Sequence, residues 1–538
     1  MFFYGPLPPL MFVSMIFFML YGFPVAFSLG AVGLTFGIIG VVTGHFPEAF
    51  LAALPHRVFG ILSNDILLAI PFFTLMGAIL ERAKLAEDLL EGMGKLFGSI
   101  PGGLAYAVII VGALLGAVTG TVAASVLTMG VISLPIMLRY GYNQRLATGV
   151  IAASGTIAQL IPPSLVLVVL ADQLGRSVGD LYKGALLPAS VQVALFLLFV
   201  LGVSIVRPKL MPPLPKEIRG DLNLRLVAQV LIGIVPVLVL MFLVLGTIFL
   251  GLATPTESGA LGVVGALLLA AANRRLTFGL LGEAMARTAQ LTSMVIFILI
   301  GATVFTLVFQ GMDGGRWIEH LLDQLPGGQI GFLIFVNLFI FFLAFFLDFF
   351  EIAFIVIPLL APAAENLGID LVWFGVLICI NLQTSFMHPP FGFALFYLRS
   401  IAPKEVRTKQ IYLGAIPWLG LQLTLVAIVI FSPGLVTSML KRGPMVDPST
   451  VQIVTPGVGG LAGGLGGGLG QPGSLGQLGQ PGALGQPGAL GQPAPAQPDA
   501  GGASDSSATA PGTPPPVGLG QPGGLGVPPG LQAPAPSP

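Results

Sequence analysis

The chain repeats one succession of proline landmarks about 225 residues apart. The matching positions are Pro101 and Pro326, Pro135 and Pro358, and the double prolines 162–163 and 389–390. Each double proline interrupts an apolar segment, and it breaks a helix there because it removes two backbone donors. A broken helix at membrane depth is tolerated only where protein buries it or where it lines a cavity. Duplicated halves with matching breaks are typical of secondary transporters, whose binding site lies between the repeats.

The composition places the chain among polytopic α-helical membrane proteins. Only 9% of the 538 residues are charged and 55% are hydrophobic, whereas soluble domains carry about 25% charged residues. Equal numbers of acidic and basic residues argue against nucleic-acid binding. A single cysteine, Cys379, excludes disulfides and cysteine metal clusters. We find no phosphate-binding loop and expect no enzyme activity or organic cofactor. The first apolar segment lacks signal-peptide features and is expected to stay as a helix.

Two apolar segments have an unusual length. Residues 103–139 and 328–364 are 37 residues each, too long for one crossing and short for two at about 20 residues each. Both carry small or polar residues near the middle, which favours re-entrant hairpins over the alternative, a pair of short crossings. The other predicted segments are 7–22, 24–43, 64–81, 145–171, 183–206, 226–249, 255–272, 289–310, 371–397 and 410–432.

The predicted fold is all-α, with two inverted repeats of about five crossings and one hairpin each. An odd number of crossings per half makes the halves inverted. The first repeat is 1–206, a cytoplasmic linker is 207–225, the second repeat is 226–440, and a Gly/Pro/Gln-rich tail, 441–538, is predicted to be disordered. With the linker inside, 17 Lys and Arg face the cytoplasm and 6 face outside. This bias predicts that both termini are outside.

Amphipathic stretches precede both hairpins. Residues 81–99 place leucines on one face and charges on the other, and residues 313–325 repeat the pattern. Such a helix lies in the membrane interface. It is interpreted either as an arm that carries a mobile domain or as a plain surface helix.

Polar residues precede both double prolines and predict a cation site. Carbonyls released by the prolines, together with Ser and Thr hydroxyls, offer the hard oxygen ligands that suit Na⁺, and half-helix N-termini suit a carboxylate. The alternative is a kink that serves packing alone. The candidate Na⁺ ligands in the two breaks are Ser154, Gly155, Thr156, Thr384 and Ser385.

Ionisable residues inside the membrane are functional candidates. His388, directly before the second double proline, is a candidate for substrate or proton contact, and its alternative is a neutral packing residue. Asp348 and Glu351 share a helix face and are candidates for a cation or proton, unless they are simply solvated. Glu257 is interpreted mainly as a helix cap.

Several ordered motifs resemble the large membrane subunit of tripartite ATP-independent periplasmic (TRAP) transporters, over about residues 5–440. They are ATPTESG at 253–259, SGTIAQLIPPS at 154–164, LGID at 367–370 and PPFGFALF at 389–396. The similarity is to the branch that handles 2-oxo acids, lactate and related organic acids, and dicarboxylates are further candidates. The resemblance implies an elevator-type, Na⁺-driven importer in the bacterial inner membrane, surrounded by bilayer lipid. It also implies a separate small four-helix subunit and a periplasmic substrate-binding protein as partners.

The resemblance further implies which residues bound the transport sites. Substrate residues would be Thr119, Gly120, Thr121, Ser125 and Gln383, with His388 added from its position, and Asp348 would join the Na⁺ ligands. Two features depart from the family pattern: many members have Thr in place of His388, and the tail is foreign to it. A stand-alone carboxylate carrier is the alternative transporter, and an ion channel is the alternative from another class.

Overall fold

All regular elements in the described residues are helices, which confirms the predicted all-α membrane fold. The computed structural model describes residues 5–83, 85–119, 122–219, 223–323, 325–345, 347–389 and 392–440, so the predicted tail lies outside them. The helices of the first half are α1 (Leu7–Leu20), α2 (Val25–Val42), α3 (Leu54–Leu62), α4 (Ala69–Arg82), α5 (Leu85–Phe97), α6 (Gly103–Thr119), α7 (Val122–Arg139), α8 (Gln144–Thr156), α9 (Leu165–Gln173) and α10 (Val178–Val206).

The second half begins after a short linker helix and repeats the order of the first. In the hairpin of this half, a π-helical turn, Ile352–Val356, interrupts the second arm. The helices are α11 (Lys216–Arg219), α12 (Leu224–Phe249), α13 (Pro255–Ala272), α14 (Phe278–Gly311), α15 (Gly314–Asp323), α16 (Gly328–Leu343), α17 (Phe349–Glu351), α18 (Ile357–Asn366), α19 (Leu371–Ser385), α20 (Phe393–Ile401), α21 (Thr408–Phe431) and α22 (Gly434–Thr437).

Eight helical stretches in the described residues are long and apolar enough to cross a membrane. The remaining apolar helices, at 10–17 residues, are shorter, and most of them belong to the hairpins and the broken helices. Both 37-residue segments are divided into two helices near their middles. The first consists of α6 and α7, which pack on each other, and the second divides between α16 and α17.

The two broken helices separate where the double prolines predict. In the first, α8 gives way to a 3₁₀ turn at Ile157–Gln159, and α9 is capped by Ser164, whose hydroxyl accepts from the Leu167 amide. In the second, α19 ends at Ser385 and α20 starts at Phe393. Prolines have no backbone N–H to donate, so the helical hydrogen bonding stops before a new helix N-terminus begins. The backbone in the protein interior is therefore irregular at both places.

Buried apolar side chains form two clusters, and each broken helix contributes one half to each. One cluster contains α9, α19 and the second hairpin, together with α4 and α14. The other contains α8, α20 and the first hairpin, together with parts of α10 and α21. Ile161 and Phe386, one from each break, pack against both clusters. The breaks therefore lie between two layers of the core, with the hairpins on opposite sides.

Two helical features were not predicted. The helix α3 fills a stretch that was interpreted as loop, and α14 begins at Phe278 instead of at residue 289. The extension of α14 starts at Thr277, whose hydroxyl accepts from the Leu280 amide at 3.1 Å. Glu283 and Arg287 lie within this extension, outside the predicted segment 289–310. The predicted amphipathic stretches do form helices, α5 and α15.

Candidate substrate site

The two breaks are in direct contact. The Thr156 hydroxyl, at the end of α8, lies 3.7 Å from the Met387 sulfur in the second break. The Cys379 thiol of α19 donates to the Gln159 carbonyl at 3.4 Å. The Gln159 carbonyl also accepts from the Ser164 hydroxyl. A carbonyl released by the prolines is thus satisfied by two side chains, as buried backbone acceptors require.

The first hairpin packs backbone to backbone against the first break. A methyl group at Gly112 would lie 2.7 Å from the Ser154 β-carbon, and one at Gly116 would lie 2.6 Å from the Ala158 α-carbon. On the other side, a methyl at Gly155 would lie 2.3 Å from a methyl of Val126 in α7. Glycine is needed at these positions because any side chain would push the hairpin away from the break.

A small cavity lies where both hairpins and both breaks meet α4 and α14. Its volume is about 160 Å³. Two of its polar atoms, the Thr74 hydroxyl and the Gln159 side-chain carbonyl oxygen, are buried and have no hydrogen-bond partner in the described parts of the chain. The lining residues are Ile70, Thr74, Val122, Ala123, Gln159, Leu165, Val166, Arg287, Leu291, Val295, Phe349, Phe350, Phe386 and Tyr397.

First-turn residues of three helices line this cavity. Residues from the first turn of α7, of α9 and of α17 line it. Helix N-termini carry partial positive charge and unpaired amides. At α17 the Asp348 carboxylate caps the helix and accepts from the Glu351 amide at 3.0 Å, so part of that charge is compensated. The other two ends favour an anion in the cavity.

Arg287 adds a full positive charge at the edge of the cavity. Arg287, Leu291 and Val295 are spaced by four, so they lie along one face of α14. The side chain of Arg287 is exposed and interacts electrostatically with Glu81. Nearby at the same helix ends, Arg82 pairs with Glu283. Of these charges, Arg287 is the one that lines the cavity. The spacing of 287, 291 and 295 in the sequence was the signal that could have found it.

The hydroxyls predicted to bind Na⁺ are buried, and each donates to its own helix. Ser154 donates to the Val150 carbonyl at 2.6 Å and Thr156 to the Ala153 carbonyl at 2.8 Å. In the second break, the Thr384 hydroxyl donates to the Asn381 carbonyl at 2.6 Å. The Ser385 hydroxyl donates to the Leu382 carbonyl, also at 2.6 Å. Because the protons are used on the backbone, lone pairs of the oxygens remain for a donor or a cation. Thr156 already accepts one bond, from Gln422 at 3.0 Å.

Asp348 serves as a helix cap in this structure. Its side chain accepts from the Glu351 amide, and Glu351 accepts from the Asp348 amide at 2.9 Å, which completes a capping box. Its neighbours Phe349 and Phe350 line the cavity. The prediction that Asp348 binds Na⁺ stays a prediction.

None of the other predicted residues that the structure describes lines this cavity. Thr119 ends α6, Ser125 is buried in α7, and Gly120 and Thr121 lie outside the described residues. Gln383 is buried, and its side-chain oxygen accepts from the side-chain amide of Gln192 at 2.6 Å.

His388 lies between two rings of the second hairpin. Its ring is fully buried, 4.4 Å from the Phe345 ring in a stacked arrangement and 4.2 Å from the Phe341 ring edge to face. Among the described residues, neither ring nitrogen has a hydrogen-bond partner. This environment is that of a packing residue that joins the second break to its hairpin.

The sequence matches one protein-family model over most of its length. The model describes the DctM component of tripartite ATP-independent periplasmic transporters, and it matches residues 12–435. The chain belongs to this family. This DctM-family protein is therefore a multi-pass membrane protein of the large-permease type.

Relatives of this DctM-family chain carry different substrates in their names. The C4-dicarboxylate TRAP transporter large permease protein DctM of Pseudomonas aeruginosa is 29% identical over 389 residues, 72% of this chain and 89% of that one. The sialic acid TRAP transporter large permease protein SiaM of Vibrio cholerae is 28% identical over 410 residues, 76% of this chain and 93% of that one.

A solved structure shares the fold of this DctM-family chain. It is the YdaH transporter of Alcanivorax borkumensis, described as having an unusual topology. The TM-score is 0.50 at 15% identity, over 80% of this chain and 98% of the other. The likeness supports the helical transporter fold alone.

Proposed function

We propose that this chain is the permease of a Na⁺-coupled importer of small organic acids, and that the acid binds in the central cavity. The observation that carries the proposal is the convergence of helix N-termini and Arg287 on that cavity. Positive partial charges and one guanidinium favour a carboxylate there. The Thr74 hydroxyl and the Gln159 side-chain carbonyl oxygen, which have no hydrogen-bond partner among the described residues, would bind a hydroxyl or second polar group of the substrate.

The size of the cavity supports a substrate of few carbons. Its volume of about 160 Å³ equals roughly five waters at about 30 Å³ each. Lactate, 2-oxo acids and short dicarboxylates are of that size. The aromatic walls from Phe349, Phe350 and Phe386 would cover the apolar part of such a molecule.

The coupling ion would be held by oxygens of the two breaks. Four hydroxyls there are buried and donate their protons to backbone carbonyls of their own helices, which leaves oxygen lone pairs for a cation. They belong to Ser154, Thr156, Thr384 and Ser385. In the described residues, no group of three or more His, Cys, Asp or Glu side chains could hold a metal ion. Hydroxyl and carbonyl oxygens are suitable ligands for a hard monovalent cation, so this arrangement supports Na⁺.

The transport cycle we infer moves the hairpins and breaks together past α4 and α14, in an elevator mechanism. The substrate would arrive from a periplasmic binding protein, and a small four-helix membrane subunit would support the fixed helices. The protein would reside in the bacterial inner membrane, with both termini of the chain in the periplasm. The family membership supports these partners, because its description names a tripartite transporter.

Reconstitution tests the proposal. The chain, its small subunit and its binding protein are placed in proteoliposomes, and uptake of lactate, pyruvate and succinate is measured with an inward Na⁺ gradient. We expect uptake of at least one acid, and its loss when K⁺ replaces Na⁺ at constant pH and voltage. Uptake that persists without Na⁺ would refute the coupling. Full activity without the binding protein would instead favour a stand-alone carboxylate carrier, and non-saturating flux would favour a channel.

A further inference from the structure

A second and larger cavity lies apart from the substrate site. Its volume is about 830 Å³, and it is formed by the start of α8, the end of α10 and the first half of α21. It shares no lining residue with the central cavity. At one end it is basic, and along its length it is apolar.

The basic end combines two arginines with two helix starts. Arg145 lies in the first turn of α8, and its Nε donates to the Gln410 side chain at 2.6 Å, which leaves the terminal guanidinium nitrogens for a ligand. Arg207 caps α10. Within the described residues neither arginine forms an ion pair. The starts of α8 and α21 add positive helix ends beside them.

The apolar part of the cavity opens toward the outer surface of α10 and α21. Phe199, Val203 and Leu413 form its walls, and the adjoining surface is apolar, with Val206 76% exposed and Ile416 51% exposed. In a membrane protein, an exposed apolar helix surface contacts acyl chains. At Gly202 an added methyl group would meet no atom within 4 Å, so the groove is open there.

The size of this cavity favours an occupant larger than a small anion. A volume of about 830 Å³ equals roughly 28 waters at about 30 Å³ each, far more than an inorganic phosphate fills. A basic pocket between membrane helices on the positively charged side of a protein suits an anionic lipid headgroup. We propose that this cavity binds an anionic phospholipid, with its phosphodiester on Arg145 and Arg207 and its acyl chains along α10 and α21.

Lipid retention tests this proposal without any transport assay. The full chain is delipidated in detergent, titrated with mixed micelles of phosphatidylglycerol, and bound lipid is counted by native mass spectrometry. We expect about one tightly bound phosphatidylglycerol per chain. The double variant Arg145→Gln/Arg207→Gln is expected to bind at least about tenfold more weakly, since charge-assisted hydrogen bonds are lost. The pair Arg145→Lys/Arg207→Lys should restore part of the binding.

A second variant acts on the acyl-chain part alone. Gly202→Leu should fill the groove and reduce lipid binding, whereas Gly246→Leu, on α12 where an added methyl meets no atom within 4 Å, should not. Lys409→Gln is the charge control, because Lys409 is exposed beside Gln410 but does not line the cavity.

Three outcomes would overturn the proposal. One is equal lipid binding by wild type and both site variants. Another is equal loss in Lys409→Gln, which would indicate diffuse charge attraction. The third is full competition by millimolar inorganic phosphate, which would indicate a free-anion site.

Discussion

Arg287 is the residue on which the proposed substrate chemistry depends most. We expect Arg287→Gln to weaken the apparent affinity for the acid by roughly 10- to 150-fold, because a charged hydrogen bond is worth about 1.5–3 kcal/mol. Arg287→Lys should retain more affinity than Arg287→Gln because it keeps the positive charge. It should still bind less tightly than wild type because it lacks the planar guanidinium that binds a carboxylate with two hydrogen bonds. Initial uptake rates against substrate concentration measure both. Arg407→Gln is the control, an exposed arginine that does not line the cavity. Wild-type affinity in Arg287→Gln would remove this residue from the site.

His388 leads to the opposite prediction. A fully buried imidazole with two unpaired nitrogens carries a desolvation cost of about 1–3 kcal/mol. His388→Phe should therefore keep uptake and raise the melting temperature, since a phenyl ring can stack on Phe345 without that cost. His388→Ala should lower the stability by about 3 kcal/mol, because it leaves a cavity between the two rings. Thermal unfolding and substrate affinity are measured together. Weakened affinity in His388→Phe without a stability change would give His388 a substrate role.

The first hairpin is held against the first break by glycines, so its packing is the element most sensitive to added volume. Gly112→Val is expected to destabilise the protein by about 1–3 kcal/mol and to reduce uptake, because the side chain meets the Ser154 β-carbon at 2.7 Å. Gly246→Val, on α12 where an added methyl meets no atom, is the matched control. Unfolding temperature and uptake should fall together in the first variant alone. Unchanged values there would mean that the hairpin tolerates displacement.

Sequence reasoning succeeded at this scale where local chemistry decides the structure. Double prolines end α8 and α19 because they cannot donate, and hydropathy with length separates the 37-residue hairpins from single crossings. It failed at the extension of α14, where Glu283 and Arg287 lower the hydropathy although the helix continues. It also could not assign Asp348 to a capping box or place His388 between phenylalanines. Those contacts depend on how the second hairpin turns and packs, which no sequence period encodes.

At the scale of the whole molecule, the charge bias predicts the orientation. Lys209, after α10, should face the cytoplasm, and Glu48, before α3, should face the periplasm. Both are exposed, so single cysteines can be placed at each in a Cys379→Ala background. On intact cells, an impermeant thiol reagent is expected to label Glu48→Cys and not Lys209→Cys. Lys209→Cys should be labelled only after the membrane is permeabilised. The reverse pattern would invert the orientation.

The two-layer core and the central cavity together predict how the molecule moves. Leu291 lies on α14, which we infer to be fixed, whereas Phe350 lies at the turn of the second hairpin, and both line the same small cavity. If the hairpin slides past α14 in each cycle, a short thiol cross-linker between Leu291→Cys and Phe350→Cys should stop uptake, because such motions gate transport. The control pair is Val166→Cys with Phe350→Cys, since both positions line the cavity and belong to the part expected to move.

Cross-linking this control pair should leave much of the uptake. Uptake is measured in the Cys379→Ala background before and after the reagent, with each single-cysteine variant as a reference. Equal inhibition in both pairs would mean that the reagent merely obstructs the cavity. Uninhibited uptake in a fully cross-linked Leu291→Cys/Phe350→Cys protein would rule out sliding between the hairpin and α14, because the two sites would then stay together throughout the cycle.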